Sequence, residues 1–289
     1  MRKIDGLIIG CGDIGGRLAR RLLDQGQSVL GLVRTPASVS RLEALGVPAR
    51  ILDLDHPLSE TPLFEASTVF YLAPPPNTGL EDSRIPRVLG LLKTPPERWV
   101  YVSTSGVYGD CQGAWVTEER KVAPATDRAR RRYHAECQLN DYAKRRNVSL
   151  TILRVPGIYG PDRLPFERLQ RQLPVVVPEE APYSNRIHAD DLARACLFVA
   201  DRHLSGGLYN ISDGHPTTMT DYFFQVADHL GLPRPPCLPL AEALQVLGPS
   251  MASFLKESRR LDSRRLSEGL GFQCQYPTLA EGLSGIAPS

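Results

Sequence analysis

The stretch LIIGCGDIGGRLARRLLDQGQSVLGLVR, residues 7–34, decides the fold of this chain. An apolar run ends in a cluster of glycines, an amphipathic segment follows, and a second apolar run closes the stretch. Strand, glycine turn, helix and strand in this order are typical of the first unit of a dinucleotide-binding domain. A glycine-rich turn that holds no ligand stays open as the alternative.

Each glycine of the turn has its own expected task. Gly10 would let the chain turn sharply out of the strand, Gly12 would let a pyrophosphate approach the backbone, and Gly15 would let the helix pack closely on the sheet. The helix begins near Asp13 and Ile14, so that its N–H groups and positive dipole end would hold the phosphates. These five residues are the first predicted cofactor contacts.

The residue at the end of the second apolar run predicts which dinucleotide is bound. A carboxylate is expected about 20 residues past the glycines where a ribose 2′-hydroxyl is recognised. This chain has Arg34 there and no acid between Gln27 and Glu43. A guanidinium matches a 2′-phosphate, so NADP is predicted in preference to NAD. A solvated arginine at a strand end is the alternative.

Composition excludes several classes of protein. The net charge of +2, from 34 basic and 32 acidic residues, argues against nucleic acid or an acidic membrane as a partner. The six cysteines form no CxxC pair or Cys/His cluster, so no metal site is expected. The amino terminus reads as a strand and not as a signal peptide, and no apolar run is long enough to span a membrane. We expect a cytoplasmic protein that acts on a small molecule.

The rest of the chain predicts an α/β fold, a Rossmann-type doubly wound parallel sheet with a smaller, mostly helical C-terminal lobe. Short buried strands are expected at 49–53, 68–73, 99–103 and 149–154, with a long helix over 127–146. Asp53 lies at a strand end that could face an adenine. Ala73 and Pro74 open a rigid loop at the carboxyl edge of the sheet, where such folds bind ligands.

The predicted domain boundaries follow a change in composition. Residues 1–163 are assigned to the dinucleotide-binding domain, to which 186–212 return. Residues 164–185 and 213–289 are assigned to the small substrate lobe, because they contain short helical segments separated by proline-rich joints.

Several motifs in order resemble the short-chain dehydrogenase/reductase superfamily in its extended, NAD-dependent epimerase/dehydratase form. They are YVSTSGVYGD (101–110), LRVPGIYGPDR (153–163), RIHADDLARA (186–195) and LYNISDG (208–214). The resemblance covers essentially the whole chain and is closest to the atypical, YeeZ-like bacterial subgroup. It implies a nicotinamide cofactor, and it allows a homodimer because family members often pair through helices.

The resemblance also implies three catalytic groups: a tyrosine as proton donor, a lysine four residues later, and an upstream Ser or Thr that holds the substrate oxygen. Thr104 matches the last of these, with a turn hydroxyl that bonds its own backbone as the alternative. The other two are not matched, because Tyr133 is followed four residues later by Cys137. Helical register also points Tyr133 away from the sheet.

Arginines stand where the family has its tyrosine and lysine. Aligning Ala135-Glu136 with the family's Ala-Glu places Arg128 and Arg132 at these positions, on the face directed to the site. Arginine stays protonated and cannot exchange the catalytic proton, but it could bind a phosphate or a carboxylate. A basic helix start that touches nothing catalytic is the alternative.

Further candidates for an anionic substrate are Arg163 and Arg186, which join Arg128 as predicted substrate contacts. Tyr108, Tyr159 and His188 are expected to be packing or structural residues. Two hypotheses follow. The protein is an NADP-dependent oxidoreductase or epimerase for a small polar or nucleotide-linked substrate, or it is a catalytically inactive NADP(H) sensor that has lost the Tyr/Lys pair.

Overall fold

The computed structural model describes residues 3–56, 63–201 and 203–286. Its strands are β1 (Ile4–Ile9), β2 (Val29–Val33), β3 (Ala49–Ile51), β4 (Ala66–Tyr71), β5 (Arg98–Thr104), β6 (Trp115–Val116), β7 (Ser149–Val155), β8 (Gly157–Tyr159), β9 (Val175–Val176), β10 (Tyr183–Ser184), β11 (Arg186–His188), β12 (Gly207–Asn210), β13 (Thr217–Thr218), β14 (Cys237–Leu238) and β15 (Arg260–Leu261).

The helices alternate with the strands in the first half of the chain and predominate towards its end. They are α1 (Asp13–Asp24), α2 (Pro36–Ala44), α3 (Arg84–Gly90), α4 (Asp127–Arg146), α5 (Phe166–Gln170), α6 (Ala189–Val199), α7 (Met219–His229), α8 (Leu240–Val246), α9 (Pro249–Leu255), α10 (Arg264–Ser267) and α11 (Leu279–Ser284).

The chain divides into two compact units, of which the first comprises residues 1–107, 127–154 and 192–209. Its seven-stranded sheet has the order β12-β7-β5-β4-β1-β2-β3, and the pairs β1–β2, β1–β4, β2–β3 and β4–β5 are parallel. The strand order reverses next to β1, which is the topological switch point of a Rossmann-type sheet. The predicted fold class is confirmed.

Burial explains why these segments form the sheet. All five residues of β2 are buried, as expected for a strand covered by helices on both faces. Helix α4 begins and ends where the sequence predicts, and it packs through Ala135, Leu139 and Ala143. The expectation of a buried strand at 49–53 is wrong, because β3 is the edge strand of the sheet and Ile51 is 54% exposed.

The second unit comprises residues 108–126, 155–191 and 210–289. Short strand pairs run through it: β8 with β11, β9 with β14 and β6 with β15 are parallel, and β10 with β13 is antiparallel. Its core forms where α7 and α11 pack together with Tyr159 and Val175. Within the described ranges, no helix combines the length and the apolar character that crossing a membrane would need.

Candidate functional site

The turn after β1 brings two strand ends into close contact. Gly10 has a φ of +81°, and a Cβ atom built on it would lie 2.4 Å from the backbone nitrogen of Ala73. Both facts demand glycine, because other residues rarely adopt this conformation and any side chain would clash. The carboxyl ends of β1 and β4 therefore meet at Gly10 and Ala73.

Helix α1 begins at this turn with its backbone uncovered. Gly12 precedes the helix and offers no side-chain cap, and a Cβ atom on it would meet nothing within 4 Å. A Cβ atom on Gly15 would lie 3.1 Å from Ile8, so that glycine lets the helix approach β1. The side chain of Ile14 is buried, and Asp13 accepts a hydrogen bond from Arg17 at 2.8 Å. The amides and dipole of this helix start fit a pyrophosphate.

Arg34 follows β2 as an exposed guanidinium. Within the described residues it makes no ion pair shorter than 4 Å, but it interacts electrostatically with Asp53 and Asp55. The pKa of Asp53 is lowered, first by the N–H of Asp55, then by His56, and last by Arg34. The sequence shows no acidic residue close to Arg34 along the chain, but the segment after β3 brings Asp53 and Asp55 near enough to interact with it electrostatically.

A second arginine in this region was missed at the sequence level. Arg84 donates to both carboxylate oxygens of Asp55, at 2.7 and 2.6 Å, and to the carbonyl of Pro74 at 2.5 Å. This buried side chain ties the exit of β3 to the loop after β4, where Pro74 itself is exposed. No motif around position 84 indicates this, since the contact spans 29 residues to Asp55.

Thr104 ends β5 and is half-buried. Its Oγ1 accepts a hydrogen bond from the N–H of Gly106 at 3.1 Å, which is the turn bond given by the alternative interpretation. The hydroxyl hydrogen and the second lone pair of Oγ1 are not used by this bond, so a contact to a substrate oxygen is compatible with it.

A buried ion pair fixes α4 on the sheet beside Thr104. Arg154 of β7 donates to Glu136 through Nη2 at 2.7 Å and Nε at 3.2 Å. Ser103, the neighbour of Thr104, donates to the same carboxylate at 2.5 Å. The side chains of Arg154 and Glu136 are 5% and 3% exposed, so the helix register relative to β5 depends on these bonds.

The arginines of α4 differ in their surroundings. Arg132, at the position of the family's lysine, donates through Nη1 to the carbonyls of Ala73 and Val102, both at 3.0 Å. Arg131 is buried and donates to the carbonyl of Gly79. Arg131 is therefore not part of a solvated helix face, whereas Arg128 is exposed on the first turn of the helix.

Tyr133, which helical register directs away from the sheet, is half-buried. Its hydroxyl interacts with the Cys137 thiol one turn later, and that interaction, followed by burial, raises the pKa of Tyr133. A catalytic tyrosine of this family needs the opposite shift.

The remaining candidates lie in the second unit. Arg163 is exposed and lies in a turn, in which its backbone N–H donates to the carbonyl of Gly160. Arg186, in β11, stacks on the ring of Tyr222 with its Cζ 4.0 Å from the ring centroid. His188 is buried, and its Nδ1 accepts from the N–H of Asp190.

Two tyrosines that follow strand motifs are structural. The Tyr108 hydroxyl donates to the side-chain carbonyl of Asn210 at 2.7 Å, and the Tyr159 hydroxyl donates to the carbonyl of Thr278 at 3.3 Å. Both rings are at most 1% exposed. Within the part of the chain that the structure describes, no group of His, Cys, Asp or Glu side chains is arranged to hold a metal ion.

A family profile matches part of the chain, and a known protein matches nearly all of it. The sequence profile described as "NAD dependent epimerase/dehydratase family" matches residues 86–212. Protein YeeZ of Escherichia coli K12 is 25% identical over 299 aligned residues, which cover 96% of this chain and 97% of YeeZ.

Solved structures agree along the whole length. A conserved protein of unknown function from Silicibacter pomeroyi superposes with a TM-score of 0.81 at 28% identity, covering 98% of this chain and 97% of its own. A UDP-glucose 4-epimerase from Thermus thermophilus, solved as a complex with NAD, has a TM-score of 0.72 at 21% identity, with 96% of each chain covered. At 21% identity, the similarity to the T. thermophilus enzyme shows that the two proteins share a fold.

Proposed function

We propose that the chain is a member of the NAD-dependent epimerase/dehydratase family, whose profile matches residues 86–212, and that it binds NADP(H) at the turn after β1. We further propose that it is an NADP-dependent oxidoreductase or epimerase for a small polar or nucleotide-linked substrate. One observation carries the proposal: the open backbone at Gly12 lies at the start of α1, and an exposed Arg34 follows the adjacent strand. The T. thermophilus epimerase, which shares the fold, was solved with NAD, and this supports a nicotinamide dinucleotide as the ligand.

Each predicted contact has a role in this proposal. The turn from Gly10 to Gly15 would hold the pyrophosphate, and Arg34 the 2′-phosphate. Asp53 would bind the adenine side, while the backbone at Ala73 and Pro74 lines the carboxyl edge of the sheet. A bound nicotinamide would supply hydride transfer.

The substrate contacts follow from side-chain chemistry. Thr104 would orient a substrate oxygen through its hydroxyl. Arg128 in the first unit, and Arg163 and Arg186 in the second, are each proposed as a contact for a negatively charged group, because arginine keeps its charge and binds oxyanions with two parallel hydrogen bonds.

Calorimetric titration with NADPH and NADH tests the cofactor assignment. We expect the parent protein to bind NADPH more tightly than NADH. We expect Gly12→Ala to bind neither cofactor, because its Cβ atom would occupy space that the folded protein leaves empty. Gly90→Ala is the matched control, because its Cβ also meets nothing within 4 Å and it lies at the end of α3. Absence of binding to either cofactor, or equal affinities for both, would contradict the proposal.

A second function, NADP(H) sensing without turnover, is favoured by one observation. Arg132 takes the place of the family's lysine and uses its Nη1 on two backbone carbonyls, and the nearby Tyr133 has Cys137 where a cation would be needed. A co-crystal with NADP distinguishes the two. A polar pocket beside C4 of the nicotinamide supports an enzyme, and a side chain filling that space supports a sensor.

A further inference from the structure

The second unit holds a guanidinium that the protein itself leaves incompletely paired. Arg186 is flattened on Tyr222, and its Nη1 donates to the carbonyl of Asn185 at 2.9 Å. Within residues 3–56, 63–201 and 203–286 this is its only hydrogen bond, and no carboxylate lies within 4 Å of it. Burial lowers the pKa of Arg186. Its other guanidinium N–H groups are not fully buried, so they are open to water or to a ligand.

Glycine makes room for this arrangement. A Cβ atom on Gly157, the residue paired with Arg186 in the neighbouring strand β8, would lie 2.7 Å from Nη1. The guanidinium is therefore confined between a backbone segment and an aromatic ring. Its orientation is fixed before any ligand arrives, which lowers the entropic cost of binding.

A carboxyl group lies beside this guanidinium. The N–H of Asp213 donates to the carbonyl of Arg186 at 2.9 Å, so the two residues are adjacent through their backbones. The Asp213 side chain accepts one hydrogen bond, from the N–H of His215 at 3.0 Å, and the residue is 7% exposed. Burial raises the pKa of Asp213 to about 7, although His215 and Arg186 both act to lower it.

The groups that face Asp213 come from three elements: Arg186 on β11, Tyr159 on β8, and His215 on its own loop. Asp213 and Arg186 interact electrostatically but are too far apart for an ion pair. Because their side chains do not bond to each other within the described residues, each keeps hydrogen-bonding capacity for a third group.

We propose that Arg186 and Asp213 together bind an oxyanion, a carboxylate or a phosphate group, with the guanidinium as counter-ion and the carboxyl group as second hydrogen-bonding partner. The inference rests on the proposed function only in assigning this anion to the substrate. The neutral carboxyl group of Asp213 donates a hydrogen bond to the anion, whereas the ionised form repels it. Anion binding is therefore coupled to uptake of a proton above about pH 7.

The test measures anion binding to the full chain without any cofactor. Thermal unfolding is followed against sodium sulfate, as the probe for phosphate, and sodium acetate, as the probe for carboxylate, at constant ionic strength between pH 6 and pH 8. We expect one of these anions to stabilise the protein saturably, with an apparent Kd about tenfold higher at pH 8, since the protonated fraction of a group with this pKa falls about tenfold. The anion that binds identifies the substrate group.

Variants separate the two residues. Asp213→Asn, which keeps an acceptor for the His215 N–H, is expected to bind the anion with no dependence on pH, and Arg186→Gln to lose saturable binding. Arg171→Gln, which removes an arginine that is 64% exposed in the same unit, should behave as the parent. His215→Gln should retain the pH dependence, because the hydrogen bond to the carboxyl group comes from the backbone N–H of residue 215, which the variant keeps.

Three results would overturn the inference: no saturable effect of either anion, pH-independent binding by the parent, or an unchanged pH profile in Asp213→Asn. Asp213→Asn is nearly isosteric, so it decides the question even if Arg186→Gln does not fold. Because no cofactor is present, failure of this test leaves the NADPH titration unaffected, and failure of that titration leaves this test valid.

Discussion

Replacing Arg34 by alanine should remove most of the preference for NADPH over NADH. The guanidinium is exposed, and within the described residues it forms no ion pair shorter than 4 Å. Its charge is therefore available to a 2′-phosphate. The variant also removes a positive charge that acts on the neighbouring Asp53, whose carboxylate then repels a phosphate more strongly, whereas Asp55 keeps its ion pair with Arg84.

The size of the effect follows from the exposure of the site. Two unit charges about 4 Å apart in water attract by about 1 kcal/mol, and a phosphate monoester carries a charge of roughly −1.5 to −2. The expected loss is thus about 1.5 to 2 kcal/mol, which corresponds to a roughly ten- to thirtyfold weaker affinity for NADPH. The affinity for NADH should not change, because its ribose hydroxyl carries no charge.

Calorimetric titration of both cofactors into the parent and into Arg34→Ala measures this difference. Arg20→Ala, which removes an exposed arginine from α1, is the control for net charge. Raising the salt concentration should narrow the gap in the parent and leave the variant unaffected, because exposed charges are screened. Equal losses for NADPH and NADH, or no loss at all, would refute the reasoning.

Other perturbations act on the scaffold of the site. Gly10→Ala should lower the urea midpoint, since a left-handed conformation costs about 1–2 kcal/mol and the added Cβ meets a backbone nitrogen at 2.4 Å; a midpoint equal to that of Gly90→Ala would contradict this. Glu136→Ala should cost about 3–5 kcal/mol, because it removes the carboxylate from a buried ion pair with Arg154, whereas Glu136→Leu combined with Arg154→Met should cost far less; equal urea midpoints for the two variants would contradict this. Because the pKa of Asp213 is raised to about 7, its protonated carboxyl group should contribute less stability as pH rises from about 4 to about 7. The parent should therefore lose more thermal stability over this pH range than Asp213→Asn does. A difference in Tm between the two proteins that stays constant with pH would disprove this.

The sequence alone determined the elements and their order. The apolar run, the glycine turn and the amphipathic helix of residues 7–34 became β1, α1 and β2, and the bounds of α4 were predicted without error. These features depend on periodicity and on local backbone geometry, which short stretches of sequence carry in full. The glycine at position 10 could be interpreted for the same reason, since its positive φ is a local requirement.

Tertiary structure alone decided which side chains meet at the strand ends. The contact of Arg84 with Asp55, the use of Arg132 on the carbonyls of Ala73 and Val102, and the pairing of Arg186 with Asp213 all join residues far apart in sequence. Such meetings depend on strand order and on the path of each loop, which no local pattern encodes. The sequence could therefore locate the glycine turn, whereas the surroundings of each arginine emerged only once the chain was folded.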